Sequence, residues 1–159
     1  MRKCVFPGTF DPFTVGHENI VKRASLIFDE VYILITTNSS KLPLLEANQR
    51  KKLITEFMLF EPDVFVVVAE YKLLVDDVKN IGANTIIKGI RNPTDFQYES
   101  DMALINKQLD NNIETVFMNS DPTLSQISSS AYKELVTLGA DPRWAVDAKT
   151  HKEYIYRLT

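Results

Sequence analysis

Three side chains able to hold phosphate stand close together near the start of the chain. Thr9 and Thr14 offer hydroxyls, and His17 offers an imidazole that can donate to a phosphate oxygen. Gly16, beside His17, lets backbone approach a ligand closely. Further along come Lys41, then Lys88 and Arg91, then Ser128, Ser129 and Ser130. Lysine and arginine neutralise charge, while serine hydroxyls and helix N-terminal amides add directed donors. Together they are the equipment of a site for a polyphosphate and a second phosphate. Each alone is weak. A single lysine is more often solvated than a ligand, three serines before a helix make a good N-cap cluster, and Glu99 reads as a solvated helix face. His17 shares a stripe with Ile20, Val21, Ala24 and Phe28, so spacing alone supports a half-buried core histidine as well as a functional one. No Ser/His/Asp set with a plausible elbow is present, and two histidines and one cysteine are too few for a His/Cys metal cluster.

The elements that must position these groups follow from hydrophobic patterning. Residues 4–6, 31–35, 64–68, 85–87 and 114–118 are short apolar runs, as expected of strands buried on both faces. Between them, residues 16–28, 46–60, 73–80 and 94–109 carry helical spacing, the last through Tyr98, Met102, Ile105 and Leu109. The segment 125–130 opens a further helix with Ala131, Tyr132, Leu135 and Val136 inward. Residues 141–159 add one or two short helices with Trp144, Ile155 and Leu158 as packing residues. Strands alternating with helices specify an α/β fold, a doubly wound five-stranded parallel sheet with helices on both faces, in one domain spanning residues 1–159. Ligands of such sheets sit outside the carboxyl ends of the strands, where helix N-termini present free N–H groups. The first βα turn, residues 36–41, residues 88–91 and residues 125–130 therefore share one rim.

Composition narrows the function further. A net charge of −3 and an isoelectric point near 5.4 argue against general nucleic-acid or anionic-membrane binding, since either needs a basic face. No segment approaches the ~20 apolar residues of a membrane helix, and the N-terminal apolar run breaks at Pro7-Gly8 before any signal-peptide core forms. The single cysteine, Cys4, suits a reducing compartment and packs as a small apolar residue. A cytoplasmic protein is expected. Neither G-x-G-x-x-G nor a Walker loop occurs, which disfavours a redox dinucleotide enzyme or a P-loop ATPase.

The first turn, P-G-T-F-D-P-F-T-V-G-H over residues 7–17, resembles the nucleotidylyltransferase signature, G-[ST]-F-D-P closed by [HT]-x-G-H. With Lys88-Gly89-Ile90-Arg91 resembling R-G-[LI]-R, Asp95-Phe96-Gln97-Tyr98-Glu99 resembling D-F-x-Y-E, and residues 127–133 resembling I-S-S-S-x-x-[RK], the chain is similar along its length to the bacterial phosphopantetheine adenylyltransferase family. The resemblance implies a Rossmann-like fold and Mg²⁺-dependent transfer of AMP from ATP to 4′-phosphopantetheine. It implies His17 as transition-state stabiliser, with Lys41 and Arg91 beside it in catalysis. It implies Thr9, Lys41, Leu74 and Lys88 as contacts of the acceptor. For ATP it implies Thr9, Phe10, His17, Gly89, Ile90, Arg91, Glu99, Leu124, Ser125, Gln126, Ile127, Ser128, Ser129 and Ser130. Mg²⁺ is expected on ATP oxygens and water rather than on protein side chains. A homohexamer, and coenzyme A as a feedback ligand, are carried by the resemblance alone.

Two departures stand out. Lys88 replaces the family's usual arginine, which keeps the charge but loses a bidentate fork. Leu124 stands where many relatives carry tryptophan. Adenylylation of nicotinamide mononucleotide, cytidylylation of glycerol phosphate and a silent nucleotide-binding regulator are the competing readings. The segments 88–99 and 127–133 favour pantetheine among the enzymes, and retention of Thr9, His17, Lys41, Arg91 and Ser129 argues against the regulator. The protonation of His17 stays open, because a helix N-terminus disfavours a cation while a bound phosphate favours one.

Overall fold

The structure, a computed structural model, describes residues 1–37, 40 and 42–159. In chain order the elements are β1 (Lys3–Gly8), α1 (Val15–Ala24), β2 (Glu30–Ile35), α2 (Ala47–Phe57), β3 (Val64–Val68), α3 (Leu74–Ile81), β4 (Thr85–Ile90), α4 (Pro93–Leu109), β5 (Glu114–Asn119), α5 (Ser129–Thr137) and α6 (Ala148–Leu158), with a 3₁₀ turn at Arg143–Ala145. The sheet is parallel throughout, in the order β3-β2-β1-β4-β5. The expected α/β architecture holds.

Strand alternation divides the core. Cys4, Phe6, Ile33, Ile35 and Ile87 point to the face covered by Ile20, Val21 and Ala24 of α1 and Ile54 of α2. Val5, Leu34 and Ile86 point to the other face, against Val75 and Val78 of α3. Both faces are thus buried, which is why these strands read as continuous apolar runs. Cys4 is fully buried, and that burial pushes its thiol up to about 12, so it packs as an inert apolar group. A third cluster, Leu45, Tyr132, Val136, Ala145, Val146 and Tyr154, docks α5 and α6 against the segment before α2.

Two expectations need correction, and a third element differs in what covers it. The helix expected over residues 16–28 ends at Ala24, because the N–H groups of Leu26 and Ile27 turn onto the Arg23 and Ala24 carbonyls three residues back and break the four-residue ladder; Leu26 and Ile27 are left exposed. The helix expected through Tyr98, Met102, Ile105 and Leu109 is present as α4, and this stripe faces outward, each residue being exposed. Trp144 is also exposed, while Ile155 and Leu158 do pack on the third cluster. Helical spacing identifies a face without saying what covers it.

Candidate active site

The strand order reverses between β1 and β4, and this is where the crevice opens. β1 stays paired with β2 to its last residue, Gly8 against Ile35, but pairs with β4 only at Cys4 with Thr85 and Val5 with Ile86. Beyond Val5 the two strands part, and the loops after them border a cavity of about 400 Å³. That is within the ~300–1,000 Å³ range of small-molecule sites. Thr9, Phe10, His17, Lys88, Gly89, Arg91, Glu99, Leu124, Ile127, Ser128, Ser129 and Ser130 all line it, from segments far apart in sequence.

The first turn is held from below. Phe10 adopts φ of 50°, a left-handed conformation unusual for a residue with a side chain, and its ring is buried against Phe6, Phe13 and His17 at centroid distances of 5.2, 5.5 and 5.0 Å. Gly8 permits this packing, since a Cβ there would stand 2.8 Å from the Phe10 ring. Phe10 therefore borders the crevice as a buried residue, not as an exposed aromatic. The next residue, Asp11, is buried and accepts from the Leu44 N–H at 2.8 Å, the Leu45 N–H at 3.4 Å, the Tyr154 hydroxyl and Lys133 Nζ at 3.3 Å. Burial, then the Asp11 hydrogen bond, raises the Tyr154 phenol well above its ordinary value, so it remains a donor.

His17 closes a capping box at the start of α1. Its backbone N–H donates to Thr14 Oγ1, and its ring Nδ1 accepts the Thr14 N–H at 3.0 Å. With Nδ1 accepting, the proton of the neutral ring is on Nε2. Burial, followed by the positive charges of Arg91 and Lys88, holds the imidazole down to about 3, so it is neutral at physiological pH. In the free crevice, burial and the two cations thus act in the same direction as the helix N-terminus, toward the neutral ring.

Both cations on β4 and the loop after it meet carboxylates of α4. Lys88 Nζ lies 3.2 Å from Glu99, and Arg91 Nε donates to Asp95 at 3.0 Å. Asp95 also accepts the Arg91 backbone N–H at 3.1 Å. Four residues apart on a helix, Asp95 and Glu99 present to the same side. At the start of α5, Ser128 caps the helix by accepting the Ala131 N–H at 3.0 Å, and Ser129 Oγ donates to the Pro12 carbonyl at 2.7 Å. The helix thus begins at Ser129, and residues 122–126 form turns before it.

Other expected residues fall elsewhere. Lys41 lies outside the described residues. Leu74 does not line the crevice; at the first position of α3 it packs against the cluster of Val5, Leu34 and Val75. Ile90 is the last residue of β4 and its carbonyl accepts the Ser120 N–H at 2.9 Å, while Ser125 donates to Pro122 and Gln126 is exposed; none of the three borders the cavity. Sequence reading gave no site role to Asp11, Asp95, Ser120 or Lys133, which all line it. Asp11 and Asp95 were visible as members of their motifs, whereas Ser120, beyond the end of β5, carries no local signal.

Among the described residues no three His, Cys, Asp or Glu side chains are grouped to hold a metal. The crevice carboxylates Asp11, Asp95 and Glu99 each face a cation, Lys133, Arg91 and Lys88 respectively.

A doubly wound parallel sheet with a crevice at its switch point, lined by His17, Lys88, Arg91 and the start of α5, is an α/β nucleotide-binding type of architecture, and residues 5–135 match the model of the cytidylyltransferase-like family. The chain is 46% identical over 137 residues to the phosphopantetheine adenylyltransferase of Lacticaseibacillus casei, covering 86% of this chain and 82% of the relative. To that of Clostridium novyi it is 42% identical over 160 residues, covering 99% and 98%. The chain therefore belongs to the phosphopantetheine adenylyltransferase family, within the cytidylyltransferase-like proteins. The solved nicotinic acid mononucleotide adenylyltransferase of Plasmodium falciparum shares the fold, with a TM-score of 0.68 at 17% identity over 98% of this chain and 94% of that one.

Proposed function

We propose that this chain transfers the adenylyl group of ATP to 4′-phosphopantetheine, giving dephospho-coenzyme A and pyrophosphate. The observation that carries the reading is the convergence of neutral His17, Lys88, Arg91 and the α5 N-terminus on one crevice, in a chain whose relatives bear that name. An oxygen of the acceptor phosphate attacks the α-phosphorus of ATP in line. A new P–O bond forms, the bond to the bridging oxygen breaks, and pyrophosphate leaves with that electron pair. A phosphate monoester is already ionised at neutral pH, so no general base is needed. Catalysis is positioning plus charge stabilisation.

In this reading His17 Nε2–H donates to the α-phosphate as charge builds on it. Arg91, Ser130 and the first amides of α5 hold the polyphosphate, while the Ser129 hydroxyl ties the start of α5 to the Pro12 carbonyl. Lys88, with Lys41, neutralises the acceptor phosphate, and Thr9 lies between the two subsites. Mg²⁺ bound to ATP would supply charge neutralisation of the polyphosphate; because the crevice carboxylates Asp11, Asp95 and Glu99 already face cations, phosphate oxygens and water would be its ligands. Coenzyme A, which contains both halves of the product, would compete for the same crevice. A homohexamer is also proposed, supported by the uncovered apolar stripe of α4. In solution its mass should be six times 18.2 kDa by light scattering. No helix of the described residues is long and apolar enough to cross a membrane, and a cytoplasmic location is part of the proposal.

The test is an acceptor screen with ATP and Mg²⁺, reading pyrophosphate release and product mass. 4′-Phosphopantetheine should be the productive acceptor. Release only with nicotinamide mononucleotide, or with none, would overturn the assignment.

A further inference from the structure

A charged side chain lies buried beneath the first turn. Arg50, on α2, is 1% exposed and does not border the crevice. Among the described residues no carboxylate lies within ion-pairing distance of it. Its guanidinium donates instead to two backbone carbonyls, through Nε to Leu45 at 2.9 Å and through Nη1 to Thr9. Taking a guanidinium out of water is costly, and an apolar side chain would fill the same volume at less expense. Something other than packing is served by its contacts.

The Thr9 carbonyl belongs to the peptide whose N–H is that of Phe10. This peptide is trans, so the N–H points opposite to the C=O and away from Arg50. Thr9 and Phe10 both line the crevice, and the Phe10 N–H meets no acceptor among the described residues. The left-handed φ of 50° at Phe10 sets the same peptide plane and is disfavoured for a residue with a side chain, so it needs holding. A guanidinium on the carbonyl holds it, and by drawing charge toward the oxygen it also strengthens the N–H as a donor.

We propose that Arg50 is a positioning residue, fixing the Thr9–Phe10 peptide so that its N–H is aimed into the crevice as a preorganised donor to the reacting phosphates. This rests on the adenylyl-transfer reading above. A donor already oriented needs no rearrangement as charge develops, so its loss should appear in turnover more than in substrate affinity.

Three variants of the full chain test it, each assayed with ATP, Mg²⁺ and 4′-phosphopantetheine and each followed through thermal unfolding. Arg50→Met keeps the volume and removes both donors. Arg50→Lys keeps the charge on a group that serves one carbonyl at a time. Tyr154→Phe removes a different hydrogen bond beneath the same turn, that to Asp11, and leaves Arg50 untouched. Arg50→Met should lower kcat by about 10- to 100-fold while the KM for ATP moves less than about threefold, and Tyr154→Phe should keep kcat within about twofold despite a lower unfolding temperature. Arg50→Lys should fall between Arg50→Met and wild type. The inference is overturned if kcat in Arg50→Met and Tyr154→Phe falls alike with loss of stability, or if only the KM for ATP rises. Should Arg50→Met not fold, wild-type kcat in Arg50→Lys overturns it equally. A wild-type chain active only with another acceptor overturns the acceptor assignment and not Arg50, whose comparison is then made with that acceptor.

Discussion

The Thr14 N–H donates to His17 Nδ1 at 3.0 Å, and this one hydrogen bond fixes both the start of α1 and the tautomer of the imidazole. The ring turns a proton-bearing Nε2 away from its own helix. A residue that caps the helix is thereby also a neutral donor at the crevice.

His17→Ala should lower kcat by about 10²–10³, the usual cost of removing one transition-state donor. ATP binding by calorimetry should change little, because the donor matters most once charge has built up. Turnover within a few-fold of wild type in folded protein would remove His17 from the mechanism.

The depressed imidazole also links stability to pH. Between pH 6.5 and about 3 the unfolded chain takes up a proton on this ring that the folded chain does not. The contribution of His17 is therefore complete above pH 6.5 and declines as pH falls toward 3. From pH 7 to pH 5, wild type should lose about 1–2 kcal/mol more stability than His17→Gln, read from urea midpoints. Equal losses would show that the folded ring titrates normally.

Arg91→Ala should weaken ATP more than 4′-phosphopantetheine in calorimetric titration, since a charge-assisted pair to phosphate is lost. Ser129→Ala should behave differently. Its hydroxyl donates to the Pro12 carbonyl, so removing it loosens the first turn from α5 and should weaken both ligands, each by less than Arg91→Ala weakens ATP. A loss confined to ATP in Ser129→Ala would instead mean that the hydroxyl leaves Pro12 for the polyphosphate.

Lys88→Ala should raise the KM for phosphopantetheine far more than that for ATP, and Lys88→Arg should be tolerated because it restores a planar fork. Glu99 sets a limit on that gain. It pairs with Lys88 at 3.2 Å, and a guanidinium in the same space must either keep Glu99 or displace it. The ratio of the two Michaelis constants in Lys88→Ala is decisive, and a change confined to ATP would assign this lysine to the nucleotide.

The sequence alone determined the parallel α/β sheet, because strands buried on both faces read as continuous apolar runs and helices between them as periodic ones. It also determined the rim of the site, since the carboxyl ends of parallel strands lie on one side, and residues 9–17 follow β1, residues 88–91 close β4, and residues 128–130 open the helix after β5. Local signals sufficed for the cap at Ser128, where a hydroxyl is needed by the helix end itself. Only the tertiary structure decided what each polar group faces. Asp11 meets Tyr154 and Lys133 from the far end of the chain, Arg50 reaches Thr9, Glu99 pairs with Lys88, and the α4 stripe turns away from the core. Periodicity records which residues share a face of one element, but pairing and charge state depend on distances between elements, and those are set by how the helices pack on the sheet.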